Sequence, residues 1–134
     1  MSLRWYSVVV DCHDIAAQAR WWAQTLDYVI VFENDDEVAV IPRWAKVEPL
    51  EDAETFRTQP QGLVFVRVPE DKTVKNRLHI DLAPHTSQDR DAEIARLLDR
   101  GATRVDVGQG DSVPWTVLAD PEGNEFCVLS ARTL

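Results

Sequence analysis

The sequence predicts an α+β protein made of two copies of one unit, each a strand, a helix and three further strands. Runs of alternating or β-branched apolar residues indicate eight strands, and two amphipathic stretches indicate helices. In each half of the chain, one helix follows the first strand and precedes the other three. A repeated unit of this kind implies two similar sheets, each with a helix packed on one face. We place the first module at about residues 3–69 and the second at about 74–134 of a single domain.

The composition is ordinary for a globular protein and argues against several classes of partner. A chain of 134 residues with 45% hydrophobic residues can bury about 65–70% of its unfolded surface. The net charge of −9 argues against nucleic acid and against an anionic membrane surface. No apolar run approaches the roughly 18 residues of a membrane span, and the N-terminus lacks the apolar core of a signal peptide, so we expect a cytoplasmic protein. The two cysteines, Cys12 and Cys127, are expected to be small buried hydrophobic residues.

The first module opens with a strand at residues 5–11, centred on three consecutive valines. Asp14 then has the side chain of a helix N-cap, and the helix that follows ends near Asp27. Its apolar residues recur at spacings of three and four: Ile15, Ala19, Trp22, Ala23 and Leu26. Two strands rich in β-branched and aromatic residues follow at 28–32 and 37–41, with an Asn-Asp-Asp turn between them.

Residues 43–62 show no clear period and contain two prolines, several acidic residues, Trp44 and Phe56. A loop this long inside a compact domain is often functional, for example as a lid over a site. A solvated acidic insertion explains the same composition equally well. Gly62 then opens the last strand of the module, which we place at 63–68.

The second module repeats this order of elements. A strand is predicted at 77–82, and Thr86–Asp89 matches the capping box that begins many helices. Gly101 suits the end of the helix that follows. The apolar stripe of that helix holds Ile94, Leu97 and Leu98.

Three strands complete the second module, at 104–107, 113–119 and 125–130. A Gly-Gln-Gly-Asp turn at 108–111 separates the first two. The sequence Asp-Pro-Glu-Gly-Asn at 120–124 joins the last two, and it is typical of a type I hairpin turn with a glycine bulge.

The predicted strand at 77–82 carries the most chemistry of the eight. Its apolar residues, on one face, are Leu78, Ile80 and Leu82. Its polar residues, on the other face, are Arg77, His79 and Asp81. A face that displays a guanidinium, an imidazole and a carboxylate either is exposed to solvent or lines a binding cleft.

Four segments in this order resemble the vicinal oxygen chelate superfamily, and within it the glyoxalase-like and bleomycin-resistance-like domains. They are Val8–Asp11 with Asp14, Arg20–Leu26, Asn76–Leu82 and Asp120–Phe126. The last is the most specific, and Asp27 departs from the glycine that the family commonly has after the helix. The resemblance implies a cup-shaped mixed sheet of two βαβββ modules with the helices outside, and a homodimer. It also implies that enzymatic members hold a divalent metal in the cleft.

The resemblance implies four metal-ligand positions, which fall on Ser7, on the strand 63–68, on His79 and on Cys127. His79 is the one ligand of the family type, because the strand 63–68 contains no carboxylate or histidine. The Ser7 hydroxyl would bind a metal weakly, and Cys127 would have to lose a proton whose unperturbed pKa is about 8.5. We therefore expect no cofactor, and we disfavour a divalent metal at His79.

The strand faces extend the resemblance to a candidate small-molecule site. We expect Leu63, Phe65 and Arg67 to face the cleft and Val64, Val66 and Val68 to face the helix. The predicted substrate-binding residues are Trp5, Ser7, Phe65, Arg67, Arg77, Trp115 and Cys127. The candidate catalytic residues are His79 and Asp81. In the alternative interpretation, Arg77 and Asp81 simply pair on an exposed sheet.

Three functions are compatible with these residues. The first is a binding protein of the bleomycin-resistance type that holds a small organic molecule in the cleft between its two modules. That molecule would be aromatic and cationic, since an acidic protein attracts cations. In the second, an enzyme uses His79 as a general base oriented by Asp81, while Arg67 or Arg77 holds a carboxylate or enolate. The third is the metal-dependent lyase, isomerase or dioxygenase chemistry of the superfamily, with a rearranged metal site.

Overall fold

The computed structural model describes residues 3–106, 108 and 113–134. The chain divides into two compact units, residues 1–71 and 72–134. Each unit contains a four-stranded mixed sheet in which the first strand of the unit lies beside the fourth, followed by the third and the second. The predicted α+β class, with one strand order used twice, is confirmed.

The first unit follows the predicted order, with one short additional helix. Its elements are β1 (Ser7–Cys12), α1 (Ile15–Leu26), β2 (Tyr28–Glu33), β3 (Glu37–Pro42), α2 (Ala53–Arg57) and β4 (Gly62–Arg67). β1 and β4 run parallel, and the other neighbours are antiparallel. The aperiodic segment 43–62 therefore includes the single-turn helix α2.

The ends of α1 are set by two aspartates. The side chain of Asp14 accepts a hydrogen bond of 3.0 Å from the backbone N–H of Ala17, which confirms it as the N-cap. At the other end Asp27 adopts a left-handed conformation with φ of 55°. Trp22 is buried, as its place on the apolar stripe predicts, and its indole packs edge-on against that of Trp21.

The core of the first unit lies between α1 and the sheet. The residues buried in it show which face of β4 is covered by the helix. Phe65, Val38 and Val40 are fully buried there. The register pairs Phe65 with Val10, whereas Val9, which is 59% exposed, pairs with Val64.

The prediction that Leu63, Phe65 and Arg67 lie on the open face was therefore wrong by one residue. Leu63 and Phe65 share the helix-facing side, and Val64 lies on the open side. Both faces of β4 are apolar at this point, so alternation of polar and apolar residues gave no signal to choose between them.

The second unit has shorter strands. Its elements are β5 (Asp81–Leu82), α3 (Arg90–Asp99), β6 (Thr103–Arg104), β7 (Thr116–Ala119) and β8 (Glu125–Val128). β5 runs parallel to β8, and the remaining pairs are antiparallel. The buried residues Ile94, Leu97, Leu118, Phe126 and Val128 form its core.

The strand predicted at 77–82 is largely wrong. Pairing with β8 begins with the hydrogen bond of 3.0 Å from the Cys127 N–H to the Ile80 carbonyl, and only Asp81–Leu82 forms a strand. Leu78, predicted to be buried, is 90% exposed. Arg77 likewise lies outside the strand. Polar and apolar residues do alternate over 77–82, but residues 77–79 do not pair with a neighbouring strand in the described part of the sheet.

The predicted start of α3 is wrong, and its predicted end is confirmed. The helix begins one turn later than the capping box implied, because Asp89 is itself the N-cap and accepts from the Ala92 N–H. Its end is as predicted: Gly101 has φ of 109°, and the N–H groups of Gly101 and Ala102 bond back to the carbonyls of Leu98 and Leu97.

The turn before β8 has the predicted geometry. The Asp120 side chain accepts from the N–H groups of Glu122 and Asn124, and Gly123 has φ of 91°. The predicted turn at 108–111, apart from Gly108, and residue Val107 of the predicted strand 104–107 lie outside the described residues. None of the helices within the described ranges is long and apolar enough to cross a membrane.

Candidate functional site

An imidazole, a carboxylate and a thiol meet where β5 pairs with β8. Asp81 and Cys127 are register partners in the parallel pair, so their side chains share a face of the sheet. His79 precedes β5, and its Nε2 lies 3.2 Å from Oδ1 of Asp81. One donor atom from each residue can be chosen so that all three lie within 4.8 Å of one another. We call this group the His79–Asp81–Cys127 cluster.

The cluster is open on one side and closed on the other. The side chains of His79 and Asp81 are 45% and 49% exposed. Cys127 is only 7% exposed. A molecule or ion that approached from solvent would therefore meet the imidazole and carboxylate first, with the sulfur beneath them.

With no cation bound, the surroundings of Cys127 disfavour its thiolate form. Burial raises the pKa of the Cys127 thiol, and the charge of Asp81 and the hydrogen bond that the thiol donates to it raise the pKa further, while Lys75 partly opposes them. A thiol of this kind is a poor nucleophile at neutral pH. The cluster alone therefore gives no support to cysteine-based covalent catalysis.

Glu125, a second polar residue of β8, fixes the chain segment that leads to the cluster. The side chain of Glu125 is 14% exposed and accepts hydrogen bonds from Lys72 Nζ at 2.9 Å and from the Asn76 N–H at 3.0 Å. Burial acts to raise the pKa of Glu125, but the hydrogen bonds from Asn76 and Lys72 outweigh it and the pKa is lowered. This carboxylate tethers the segment 72–76, from which the chain runs directly to His79.

Sequence reasoning missed Glu125 as part of the site. Its place two residues before Cys127 on one strand face was an available signal, because alternate strand residues share a face. Its partners, Lys72 and Asn76, lie in an aperiodic segment some fifty residues earlier in the chain (49 for Asn76), where nothing in the sequence marks them.

The other predicted residues of the second unit lie on its surface. Arg77 is exposed, and Trp115 is 38% exposed just before β7. Their contacts with a ligand stay a prediction.

The predicted residues of the first unit divide into exposed and structural groups. Trp5 is 65% exposed ahead of β1, and Ser7 is a half-buried residue at the start of β1. Phe65 is fully buried in the core, so its predicted place on an open ligand-binding face is wrong. Arg67 donates from Nε to the Asp35 carbonyl at 2.9 Å and from Nη1 to the His13 carbonyl at 3.0 Å, which braces two loops.

A surface pocket of about 610 Å³ lies beside the start of α1 in the first unit. Its cationic lining residues are Arg20 and Arg67. Arg20 forms a bidentate ion pair with the carboxylate of Glu33, and Arg67 donates hydrogen bonds to backbone carbonyls. Because both guanidinium groups are already engaged, this pocket gives little support to an anion-binding site.

The divalent metal implied by the family resemblance can be tested against the donors present. Two of the four implied positions, His79 and Cys127, are within reach of each other. Asp81 adds a third donor that the comparison of positions had not counted. Nitrogen, oxygen and sulfur are the donor types that zinc takes in proteins, so the residues fit a three-donor centre.

Comparisons with known proteins agree with the fold. A glyoxalase/bleomycin resistance protein/dioxygenase family enzyme from Burkholderia phytofirmans PsJN is 15% identical with a TM-score of 0.66, over 96% of this chain and 98% of that chain. A mutant of the fosfomycin resistance protein FosX from Listeria monocytogenes, complexed with Mn(II) and a dihydroxypropylphosphonic acid, is 11% identical with a TM-score of 0.66, over 100% and 96%. The oxidase ChaP-H2 is 16% identical with a TM-score of 0.61, over 97% and 94%.

These structures define the class as the vicinal oxygen chelate fold. Residues 7–129 match the family model of the glyoxalase-like domain. The chain therefore belongs to the glyoxalase-like domain family, which confirms the resemblance seen in the sequence. No curated protein is significantly similar to it in sequence.

Proposed function

We propose that the protein binds a small organic molecule at the His79–Asp81–Cys127 cluster, without the four-ligand metal set of the superfamily. The observation that carries the proposal is the convergence of three different polar groups within 4.8 Å at a half-exposed position. Small-molecule sites typically combine a mostly apolar lining with a few convergent polar groups. The Ser7 hydroxyl and the sequence of β4, which lacks carboxylate and histidine, support the absence of the four-ligand set.

The ligand class that we propose is aromatic and cationic. The net charge of −9 and the half-exposed carboxylate of Asp81 favour a cation. Trp115, partly exposed in the same unit, offers an aromatic face of the kind that attracts cations. Arg77, in the same unit, would disfavour a cation beside it and could instead hold an anionic substituent.

A calorimetric and thermal-shift screen tests this proposal. The panel contains cationic aromatic antibiotics of the bleomycin type together with neutral and anionic aromatic compounds of similar size. We expect at least one cationic aromatic compound to bind with micromolar affinity, and both His79→Ala and Asp81→Asn to weaken that binding tenfold or more, about 1.4 kcal/mol.

The matched control is His85→Ala, which removes an exposed histidine of the same unit that bonds to Ser87. This variant should bind as the wild type does. A panel without a micromolar ligand, or a ligand whose affinity is the same in His79→Ala, would contradict the proposal.

An enzyme that uses His79 as a general base is the second candidate. The 3.2 Å separation of His79 Nε2 and Asp81 Oδ1 favours it, because a carboxylate that pairs with one ring nitrogen orients the other toward a substrate proton. Solved structures of similar fold include proteins named as an oxidase and as a family enzyme.

Proton exchange distinguishes the enzyme from the binding protein. We would follow deuterium incorporation next to the carbonyl of small ketones and hydroxy-ketones by NMR. The wild type should exchange the proton, and His79→Gln should lose at least 100-fold in rate with a retained fold. A rate that His79→Gln leaves unchanged counts against this candidate.

Homodimer formation stays a prediction from the family resemblance. Analytical ultracentrifugation tests it, and twice the monomer mass at micromolar concentration is the expected result.

A further inference from the structure

The donors of the His79–Asp81–Cys127 cluster form a set that binds soft divalent metals. An imidazole nitrogen, a carboxylate oxygen and a sulfur lie within 4.8 Å of one another. Soft sulfur ligands select zinc and its spectroscopic substitutes over magnesium or calcium, which prefer oxygen alone. Three protein ligands with one position open to water or substrate is the number found in catalytic zinc sites.

We infer that His79, Asp81 and Cys127 form a zinc-type metal site. It keeps two of the four ligand positions that the resemblance implies, His79 and Cys127, and adds Asp81 from outside that set. The site uses only residues of the second unit. None of the four ligand positions that the resemblance implies falls on Asp81.

The geometry needs little adjustment to hold an ion. Zinc bonds of about 2.0–2.3 Å in a tetrahedral arrangement place neighbouring donor atoms about 3.3–3.7 Å apart. His79 Nε2 and Asp81 Oδ1 are already 3.2 Å apart, and no separation in the chosen set exceeds 4.8 Å. To reach these distances, the donor atoms must approach one another by about one ångström. The side chains of His79 and Asp81 can make this movement because they are half exposed.

The backbone holds the ligands at fixed positions. Asp81 and Cys127 are register partners on adjacent strands, and the Cys127 N–H bonds to the Ile80 carbonyl at 3.0 Å. Glu125, through Lys72 and Asn76, anchors the chain that leads to His79. Supporting interactions of this kind orient metal ligands in proteins generally.

The inference concerns the cluster on which the proposed function also rests, but it requires no organic ligand. It is tested with the metal alone. Reduced, chelator-treated protein is titrated with Co(II), followed by the thiolate-to-cobalt charge-transfer band and the visible bands of the ion. We expect one equivalent of Co(II) to bind with a charge-transfer band and to be displaced by one equivalent of zinc.

Variants identify the donors. Cys127→Ser should abolish the charge-transfer band, and His79→Ala and Asp81→Asn should each weaken binding by at least tenfold. Cys12→Ser is the matched control, because Cys12 is also buried but belongs to the first unit. This control should leave both the band and the affinity unchanged.

Several results would overturn the inference. They are the absence of a charge-transfer band at several equivalents of Co(II), a band that survives Cys127→Ser, and a band lost in Cys12→Ser. If Cys127→Ser does not fold, unchanged Co(II) affinity in both His79→Ala and Asp81→Asn has the same meaning, because these side chains are half exposed.

The two proposals can fail separately. Metal binding without any small-molecule ligand in the screen would contradict the proposed function and leave the metal site standing. If the protein takes up no cobalt or zinc but still binds a small-molecule ligand with micromolar affinity, the metal site is contradicted and the proposed function is not.

Discussion

The two units share a strand order, but they use the same pair of strands differently. In the first unit, β1 and β4 run side by side over six register partners, from Ser7–Gly62 to Cys12–Arg67. In the second, β5 and β8 share only two partners, Asp81–Cys127 and Leu82–Val128. The long pair has Val9 and Val64 on its open face, whereas the short pair has a carboxylate and a thiol there.

The difference shows how one topology can supply both a scaffold and a site. A continuous ladder satisfies the backbone hydrogen bonds along its whole length. Where the ladder stops early, the chain before β5 is held by the side chain of Glu125 and not by strand pairing. His79 lies in that unpaired stretch, which brings its imidazole beside Asp81.

The largest test of this comparison concerns the two cores. Phe65→Ala in the first unit and Phe126→Ala in the second should each lower the free energy of unfolding by about 3–5 kcal/mol, because both rings are fully buried. Val9→Ala, on the open face, should cost less than about 1 kcal/mol. Denaturant unfolding followed by tryptophan fluorescence measures all three.

A Val9→Ala variant as costly as Phe65→Ala would reverse the corrected assignment of faces. An effect of Phe126→Ala below about 1 kcal/mol would show that the second unit lacks an independent core.

The next effect concerns the carboxylate that replaces strand pairing in the second unit. Glu125→Gln should lower the free energy of unfolding by about 1–2 kcal/mol, since it removes the negative charge that strengthens the hydrogen bonds donated by Lys72 and Asn76. The matched control is Glu54→Gln, which breaks an exposed pair with Arg57 in the first unit. That change should be within experimental error, because exposed ion pairs contribute little.

The contribution of Glu125 should depend on pH in a defined direction. Its pKa is lowered in the folded protein, so its stabilisation is present above the unfolded value of about 4.3 and is lost as the pH falls through the folded value. The wild type should therefore lose more stability than Glu125→Gln between pH 7 and pH 3. Parallel acid limbs for the two proteins would contradict this role.

The features that the sequence predicted correctly depend on neighbours in the chain. The cap at Asp14, the helix end at Gly101 and the turn before β8 are all completed by residues within five positions. The family resemblance implied ligand positions at His79 and Cys127, and the structure brings these two side chains together.

The failures have non-local causes. The face of β4 depends on which side α1 covers, and two apolar faces leave that choice to tertiary packing. β5 starts late, at Asp81, and the chain before it is held by Glu125, about fifty residues away (49 from Asn76). The meeting of Asp81 with Cys127 depends on the register of a two-residue pair. None of these has a signal within a short window of sequence.

The smallest predicted effect compares the ends of the two helices. α3 ends at Gly101 with φ of 109°, whereas α1 ends at Asp27 with φ of 55°, a conformation that costs free energy for a residue with a Cβ. Asp27→Gly should therefore raise the free energy of unfolding by up to about 1 kcal/mol. The exposed pair between Asp27 and Arg43 opposes this gain slightly.

A background of Arg43→Gln separates the two contributions. There Asp27→Gly should give its full gain, because no ion pair remains to be lost, and Asp27→Asn should be nearly neutral since asparagine tolerates the left-handed region. Chemical denaturation of the wild type, Asp27→Gly, Arg43→Gln and the two double variants measures the differences. If Asp27→Gly destabilises the protein even in the Arg43→Gln background, the left-handed end of α1 is not strained, and the two helix ends are equivalent in energy despite their different residues.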